Sequence, residues 1–193
     1  CASRPLKGYV NIDMDPLEVI KERYPNISFP DWVEIYDYDI FNLPYKNGEV
    51  DEVRADALVE HLTFKEEPLF FNEVYRVLNT DGVFKFQTPD FEDAIKTWLN
   101  AEDKWLDFYR DDDKSISEEH WFGNYSYSTK NRWGYLMAMI FGPQNGEGQY
   151  HKNAYTEDKI RAMLTRLGYR TISIERFRWK ENRDLMLNVE AKK

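Results

Sequence analysis

Apolar and polar positions along this chain alternate in two rhythms, and the clearest run lies between Val50 and Asp90. Val50 to Ala55 reads as a short apolar strand, and Val83 to Thr88 as a second. Between them Phe70, Val74, Val77 and Leu78 recur at i, i+4, i+7 and i+8, one apolar face of a helix. Thr63 and Glu66 have the spacing of a capping box, in which hydroxyl and carboxylate each satisfy a free backbone N–H. Asn79-Thr80-Asp81-Gly82 is expected to end the helix, with Gly82 in the left-handed conformation past the last turn. Strand, helix, strand predicts a right-handed crossover and two parallel strands. Ligands of open α/β sheets sit beyond the carboxyl ends of the strands. Here those ends are Ala55-Asp56-Ala57 and Gln87-Thr88-Pro89-Asp90.

Upstream, Gly8 to Asp13 predicts a strand ending in an acid. Asp15-Pro16 then opens a helix to about Arg23, with Asp15 as cap and Pro16 in the first helical position. Trp32 to Tyr36 is the next predicted strand, ending at Asp37-Tyr38-Asp39, before a loop that holds Leu43-Pro44. Downstream, Phe91 to Leu106 and Asn131 to Phe141 read as helical. The stretch from 91 to 154 is too long for a connector and predicts an insertion or lid in a single domain of residues 1–193. Thr156 caps a further helix with Ile160, Met163, Leu164 and Leu167 on its apolar face, and Gly168 stops it. Arg170 to Arg178 alternates as a half-buried strand, and Asp184 to Ala191 is close enough to pair with it as an antiparallel hairpin. The whole alternation predicts an α/β domain with a mainly parallel sheet.

Composition narrows the function. A chain of 193 residues with 42% hydrophobic content can bury one substantial core. A net charge of −9 argues against nucleic acid as the main partner, although Arg170, Arg176, Arg178 and Lys180 cluster locally. No apolar run approaches the ~20 residues needed to span a bilayer, and no signal peptide is evident, so no membrane partner and a cytoplasmic location are expected. One cysteine excludes a disulfide framework and a thiolate metal cluster. The chain opens on Cys1 rather than Met, and is expected to be a fragment whose beginning lies upstream.

Four pieces in order carry a family resemblance: GYVNID (8–13), DYDIFNLPY (37–45), VDEVRADALVEHL (50–62) and NEVYRVLNTDGVFKFQTPD (72–90). They resemble the class I S-adenosylmethionine-dependent methyltransferases, most like the group found among sugar and cell-envelope biosynthesis functions. The likeness runs over about residues 1 to 90 and more loosely through YHKNAYTEDKIRAMLTRLGY (150–169). It implies a Rossmann-like, mainly parallel sheet with an antiparallel C-terminal hairpin, in strand order 3-2-1-4-5-7-6. The family's first strand, with its glycine-rich turn, is missing, and Ala2 stands where that turn usually has a glycine. Without this central strand the sheet is expected to split, to be filled by another segment or chain, or to close up.

The resemblance also implies roles. Asp13 would accept hydrogen bonds from the ribose hydroxyls of S-adenosylmethionine, a carboxylate having two oxygens for two donors; the alternative is a turn or cap carboxylate. Asp39 would take the adenine amino group, with Ile40 bordering the ring; Asp37 is its rival. Asp56 would lie beside the methionine part of the cofactor, holding its ammonium or capping the next turn. Within Glu60-His61 the two side chains would not face each other on a helix, and the dipeptide reads as mainly structural. His151 and His120 lie in irregular segments where either is a candidate general base for an acceptor hydroxyl, the alternative being a packing histidine. The three histidines show no ligand-like spacing, so no metal site is expected. Trp121, Phe122, Tyr125 and Tyr127 stack on an acceptor or belong to the core. Two functions follow. One is methyl transfer to an oxygen or nitrogen of a small acceptor, sugar-linked or not. The other is a truncated or degenerate domain without catalysis, at most a binding module. A homo-oligomer is left open, and an oxidoreductase lacks its support because no G-x-G-x-x-G is present.

Overall fold

The computed structural model describes residues 4–101, 132–142, 144, 148–179 and 184–193. Strands β1 (Asn11–Ile12) and β2 (Ile35–Tyr36) pair in parallel around helix α1 (Leu17–Arg23). A four-stranded sheet follows, built from β3 (Val50–Asp56), β4 (Leu78–Pro89), β5 (Thr171–Trp179) and β6 (Asp184–Lys192) in the order β3-β4-β6-β5. β3 and β4 are parallel; β6 lies antiparallel to both β4 and β5. The C-terminal hairpin is therefore as expected, but the sheet is mixed rather than mainly parallel, because β6 inserts between β4 and β5. Among the described residues the two sheets share no strand, which is the split outcome. Each keeps the order the resemblance implies on its own side of the central position.

Helices α2 (Glu66–Val77) and α5 (Glu157–Leu167) supply the apolar side chains that pack with the four-stranded sheet. Phe71 of α2 meets Phe84 and Phe86 of β4 edge-on, at ring separations of 5.7 and 5.8 Å. All three rings are buried, as are Val74, Ile160, Leu164, Leu187 and Val189. The capping box closes as expected: Thr63 N–H donates to Glu66 Oε2 at 2.8 Å and Glu66 N–H to Thr63 Oγ1 at 3.3 Å. Thr156 Oγ1 likewise accepts from Lys159 N–H at 3.2 Å, and Gly168 ends α5 at φ +100°. The alternate side chains of the same strands are polar: Glu52, Arg54, Lys85, Gln87, Asn188 and Glu190 are half-buried or exposed. Lys85 pairs with Glu52 at 2.8 Å, and Gln87 donates to Asn188 at 3.2 Å. Among the described residues, alternation of this kind is that of a sheet covered on one face, unlike the continuous apolar runs of doubly covered parallel sheets.

Three local expectations are corrected. Gly82 is not left-handed and does not stop α2. Helix α2 passes directly into β4 at Leu78, and residues 79–82 loop out of the ladder, since Val50 pairs with Leu78 but Glu52 with Val83. Glycine is needed there for space: a Cβ on Gly82 would lie 3.1 Å from Asn79 N and O. The strand predicted over Gly8–Asp13 shrinks to two residues, because buried Asn11 folds the preceding segment into a turn. Its amide donates to Leu6 O at 3.1 Å and Tyr9 O at 3.2 Å. Asp15 does not cap α1; its carboxylate pairs with Arg23 in the last turn.

Helices α3 (Phe91–Asn100) and α4 (Arg132–Phe141) lie within the segment expected to be an insertion or lid. They form their own apolar cluster around Ala94 and Leu136. Among the described residues no helix is long and apolar enough to cross a membrane. Truncating the central ring tests the core: Phe71→Ala is expected to lower unfolding free energy by about 3–5 kcal/mol. Leu69→Ala, at a residue 57% exposed, should change it by about 0.5 kcal/mol or less. Urea unfolding of the two variants reads the difference.

Candidate functional site at the carboxyl ends of the strands

β3 leaves the sheet at Asp56. Ala57 takes φ +51° and donates its N–H to Gln87 O at 2.9 Å, which turns the chain across the end of β4. One 3₁₀ turn, Val59–His61, follows. The carbonyl of Glu60 in this turn accepts from Lys152 N–H at 2.8 Å and Asn153 N–H at 3.1 Å. The distant segment 150–153 is thereby stitched onto the strand ends. Tyr155 extends the join: its hydroxyl donates to Val59 O at 3.3 Å, its carbonyl accepts from Phe91 N–H at 3.1 Å, and it bridges in parallel to Asp90.

This stitching assembles a cluster that spacing along the chain does not reveal. A Glu60 carboxylate oxygen and one ring nitrogen each from His61 and His151 lie within 4.8 Å of one another. The two imidazoles meet edge-on at 4.9 Å. His61 Nδ1 donates to Tyr150 O at 3.0 Å and His151 Nδ1 to Met139 O at 2.9 Å, so each ring keeps Nε2 for a further partner. Glu60 is 3% exposed, with Thr88 Oγ1 at a long 3.4 Å from its carboxyl. Burial pushes the Glu60 carboxyl up to about 8 and the His151 imidazole down to about 4, and lowers His61 as well. In each case burial disfavours the charged form. Glu60 and His61, although adjacent in one 3₁₀ turn, place donor atoms within 4.8 Å of each other and of His151.

His151 owes its position to Gly142. That residue has φ +79° just past the end of α4, and a Cβ there would lie 2.1 Å from Gln149 O and 2.9 Å from His151 N. His151 N–H caps Phe141 O at 3.0 Å, so two late carbonyls of α4 are satisfied by one histidine.

The carboxylates expected to bind cofactor stand on different elements. Asp13 ends β1, donates its N–H to Tyr36 O at 3.1 Å, and accepts Asp15 N–H at 3.2 Å. Asp39 is exposed after β2 and accepts Phe41 N–H at 2.9 Å, while Ile40 packs against the main core. The following loop is tied to α2. Glu73 accepts Leu43 N–H at 2.6 Å, and Arg76 donates to Tyr45 O at 2.8 Å and Leu43 O at 3.2 Å. Asp56 pairs with Arg54 at 2.7 Å, beside a depression of about 370 Å³ on the polar face of the sheet. Ala2, His120 and the aromatic residues Trp121, Phe122, Tyr125 and Tyr127 lie outside the described residues.

Two buried polar residues carried no individual role in the sequence, although Asp90 belongs to a strand end expected to face a ligand. Asp90, fully buried at the end of β4, accepts Asp93 N–H at 3.1 Å and holds Arg176 at 2.8 Å. Arg176 also reaches Glu157 at 2.9 Å, so the local basic cluster is partly spent on an internal clip. Asn153 bonds Glu67 at 2.7 Å beneath the stitched segment.

Residues 3–86 match the family model of a methyltransferase domain. A search of curated proteins found no match to the chain. Solved structures share the fold. A SAM-dependent methyltransferase from Archaeoglobus fulgidus aligns with TM-score 0.53 and 12% identity, over 95% of this chain and 75% of that one. A SAM-dependent methyltransferase from Methanosarcina mazei gives 0.54 and 17%, over 100% and 84%. A Burkholderia thailandensis 1,6-didemethyltoxoflavin-N1-methyltransferase, with bound 1,6-didemethyltoxoflavin and S-adenosylhomocysteine, gives 0.50 and 11%; this chain spans 94% of itself but only 59% of that protein. At these identities the likeness is one of fold. Because the cluster hangs on the close approach at Gly142, Gly142→Ala is expected to destabilise the protein by about 1–3 kcal/mol and to move the His151 ring resonances. Urea unfolding and NMR of the imidazole groups check both.

Proposed function

We propose that this chain, sharing its fold with S-adenosylmethionine-dependent methyltransferases, transfers a methyl group from S-adenosylmethionine to an oxygen or nitrogen of a small acceptor, sugar-linked or not. The observation that carries the reading is the methyltransferase-domain match over residues 3–86, a span that includes Asp13, Asp39 and Asp56 just past β1, near β2 and at the end of β3, strands that each pair in parallel with a neighbour. In this reading Asp13 accepts the ribose hydroxyls, Asp39 and Ile40 border the adenine, Asp56 faces the methionine ammonium, and Ala2 approaches the cofactor by its main chain. Charge-assisted bonds of this kind are the strong ones.

The chemistry asks little of the protein beyond placement. The sulfonium methyl is already activated. The acceptor lone pair displaces the sulfur in line, the methyl moves to oxygen or nitrogen, and S-adenosylhomocysteine leaves while the acceptor sheds a proton. Orientation supplies most of the acceleration. His151 and His120 are the candidates to take that proton. The low His151 pKa makes that ring a weak base, so its assistance is secondary to positioning. The segment 91–154 is assigned to acceptor choice as an insertion or lid.

A second reading, a methyltransferase fold retained as a binding module without catalysis, is favoured by one observation. Among the described residues the sheet bearing Asp13 shares no strand with the sheet bearing Asp56. Calorimetric titration with S-adenosylmethionine and S-adenosylhomocysteine tests the first. Micromolar binding is expected, weakened by about 10- to 100-fold in Asp13→Ala, the loss of one or two charged hydrogen bonds. No binding at millimolar ligand by a chain that circular dichroism shows to be folded would remove the methyl-transfer reading.

A further inference from the structure

We propose that Glu60, His61 and His151 form a binding site for one divalent first-row transition-metal ion, with zinc as the ion the donors fit best. The argument rests on geometry and donor chemistry and does not depend on the methyl-transfer reading. Two imidazoles and one carboxylate are a set that zinc and its neighbours take up, whereas magnesium and calcium prefer oxygen alone. Three protein ligands leave one position open for water or a substrate oxygen, the form of reactive rather than structural zinc sites.

The donor atoms lie within 4.8 Å of one another. Metal–ligand bonds near 2.0–2.1 Å give a tetrahedral edge of about 3.4 Å. Metal binding draws the three donors together with each Nδ1 hydrogen bond kept, both imidazoles being half-buried. The outer partners have the arrangement that orients ligating histidines. Nδ1 of each ring donates to a main-chain carbonyl, Tyr150 O at 3.0 Å and Met139 O at 2.9 Å. This fixes the tautomer and leaves the Nε2 lone pair as ligand. The carbonyls come from a helix end and a loop that the Gly142 contact holds rigidly to His151. Thr88 is the nearest hydroxyl to the carboxyl group, at 3.4 Å. A bound dication is the positive partner that a buried carboxylate calls for. The Glu60 carboxyl is 3% exposed and is met by its own main-chain N–H and, at 3.4 Å, by Thr88 Oγ1; burying a carboxylate is costly unless it is paired.

The test uses the full chain, stripped with a chelator and dialysed, and cobalt(II) as the probe. One equivalent of cobalt is expected to bind with visible d–d absorption of a low-coordinate site. One equivalent of zinc should bleach it, and excess magnesium should not. Glu60→Gln, His61→Gln and His151→Ala should each weaken cobalt binding by about 100-fold or more, since loss even of an outer partner costs 10- to 100-fold. Glu92→Gln, on helix α3 at a carboxylate paired with Lys96, should leave binding unchanged. Circular dichroism identifies variants that fail to fold. If His151→Ala is among them, the two glutamine variants carry the test. Failure of the folded parent chain to bind cobalt or zinc at millimolar metal overturns the proposal. So does undiminished binding in a folded variant of any of the three ligands. Calorimetry with S-adenosylhomocysteine on the stripped chain reports the cofactor separately, so either reading can fail alone.

Discussion

One main-chain carbonyl holds the candidate site together. Glu60 O accepts N–H groups from Lys152 and Asn153, at 2.8 and 3.1 Å. With this junction the 3₁₀ turn after β3 and the segment before α5 become one surface. His151 is carried to His61, Tyr155 is drawn under Val59, and Phe91 can begin α3 against Tyr155 O. Buried backbone groups must be paired, and here the pairing of a turn also builds the chemistry. Gly142 supports the junction from the far side, since any side chain there would strike Gln149 and His151.

The features legible in the sequence are those whose cause is local. The capping box at Thr63 and Glu66, the Thr156 cap and the Gly168 stop involve residues a few positions apart, and all three form. The crossover from β3 to β4 and the C-terminal hairpin follow from the same short-range rhythm. Where expectation failed, a contact outside the pattern decided. Asn11 spends its amide on Leu6 and Tyr9, so a six-residue strand becomes a two-residue one. Gly82 is demanded by the approach of Asn79 rather than by a left-handed turn. The meeting of His61 with His151 was illegible for a plainer reason: it depends on contacts such as His61 to Tyr150, 89 positions apart.

The sheet itself carries a further lesson about reading strands. Glu52, Arg54 and Asp56 alternate with Val53 and Ala55, as Lys85 and Gln87 do with Phe84 and Phe86. The polar set lies on a face that is half-buried or exposed and neutralises itself through pairs such as Lys85–Glu52. A parallel crossover thus sits in a sheet with one polar face, and the carboxylates proposed for the cofactor are divided between two sheets. Asp13 and Asp39 accept local N–H groups, and Asp56 accepts from Arg54, so a ligand would have to compete with or share those bonds.

The most direct measurement is backbone amide NMR of the labelled chain titrated with S-adenosylhomocysteine, which reports where a ligand sits as well as whether it binds. The account predicts shifts confined to Asp13, to Asp39 and Ile40, and to Asp56 and Ala57, with the open polar face around Lys85 and Glu190 unmoved. A spectrum unchanged at saturating ligand, or shifts centred on that polar face instead, would contradict it.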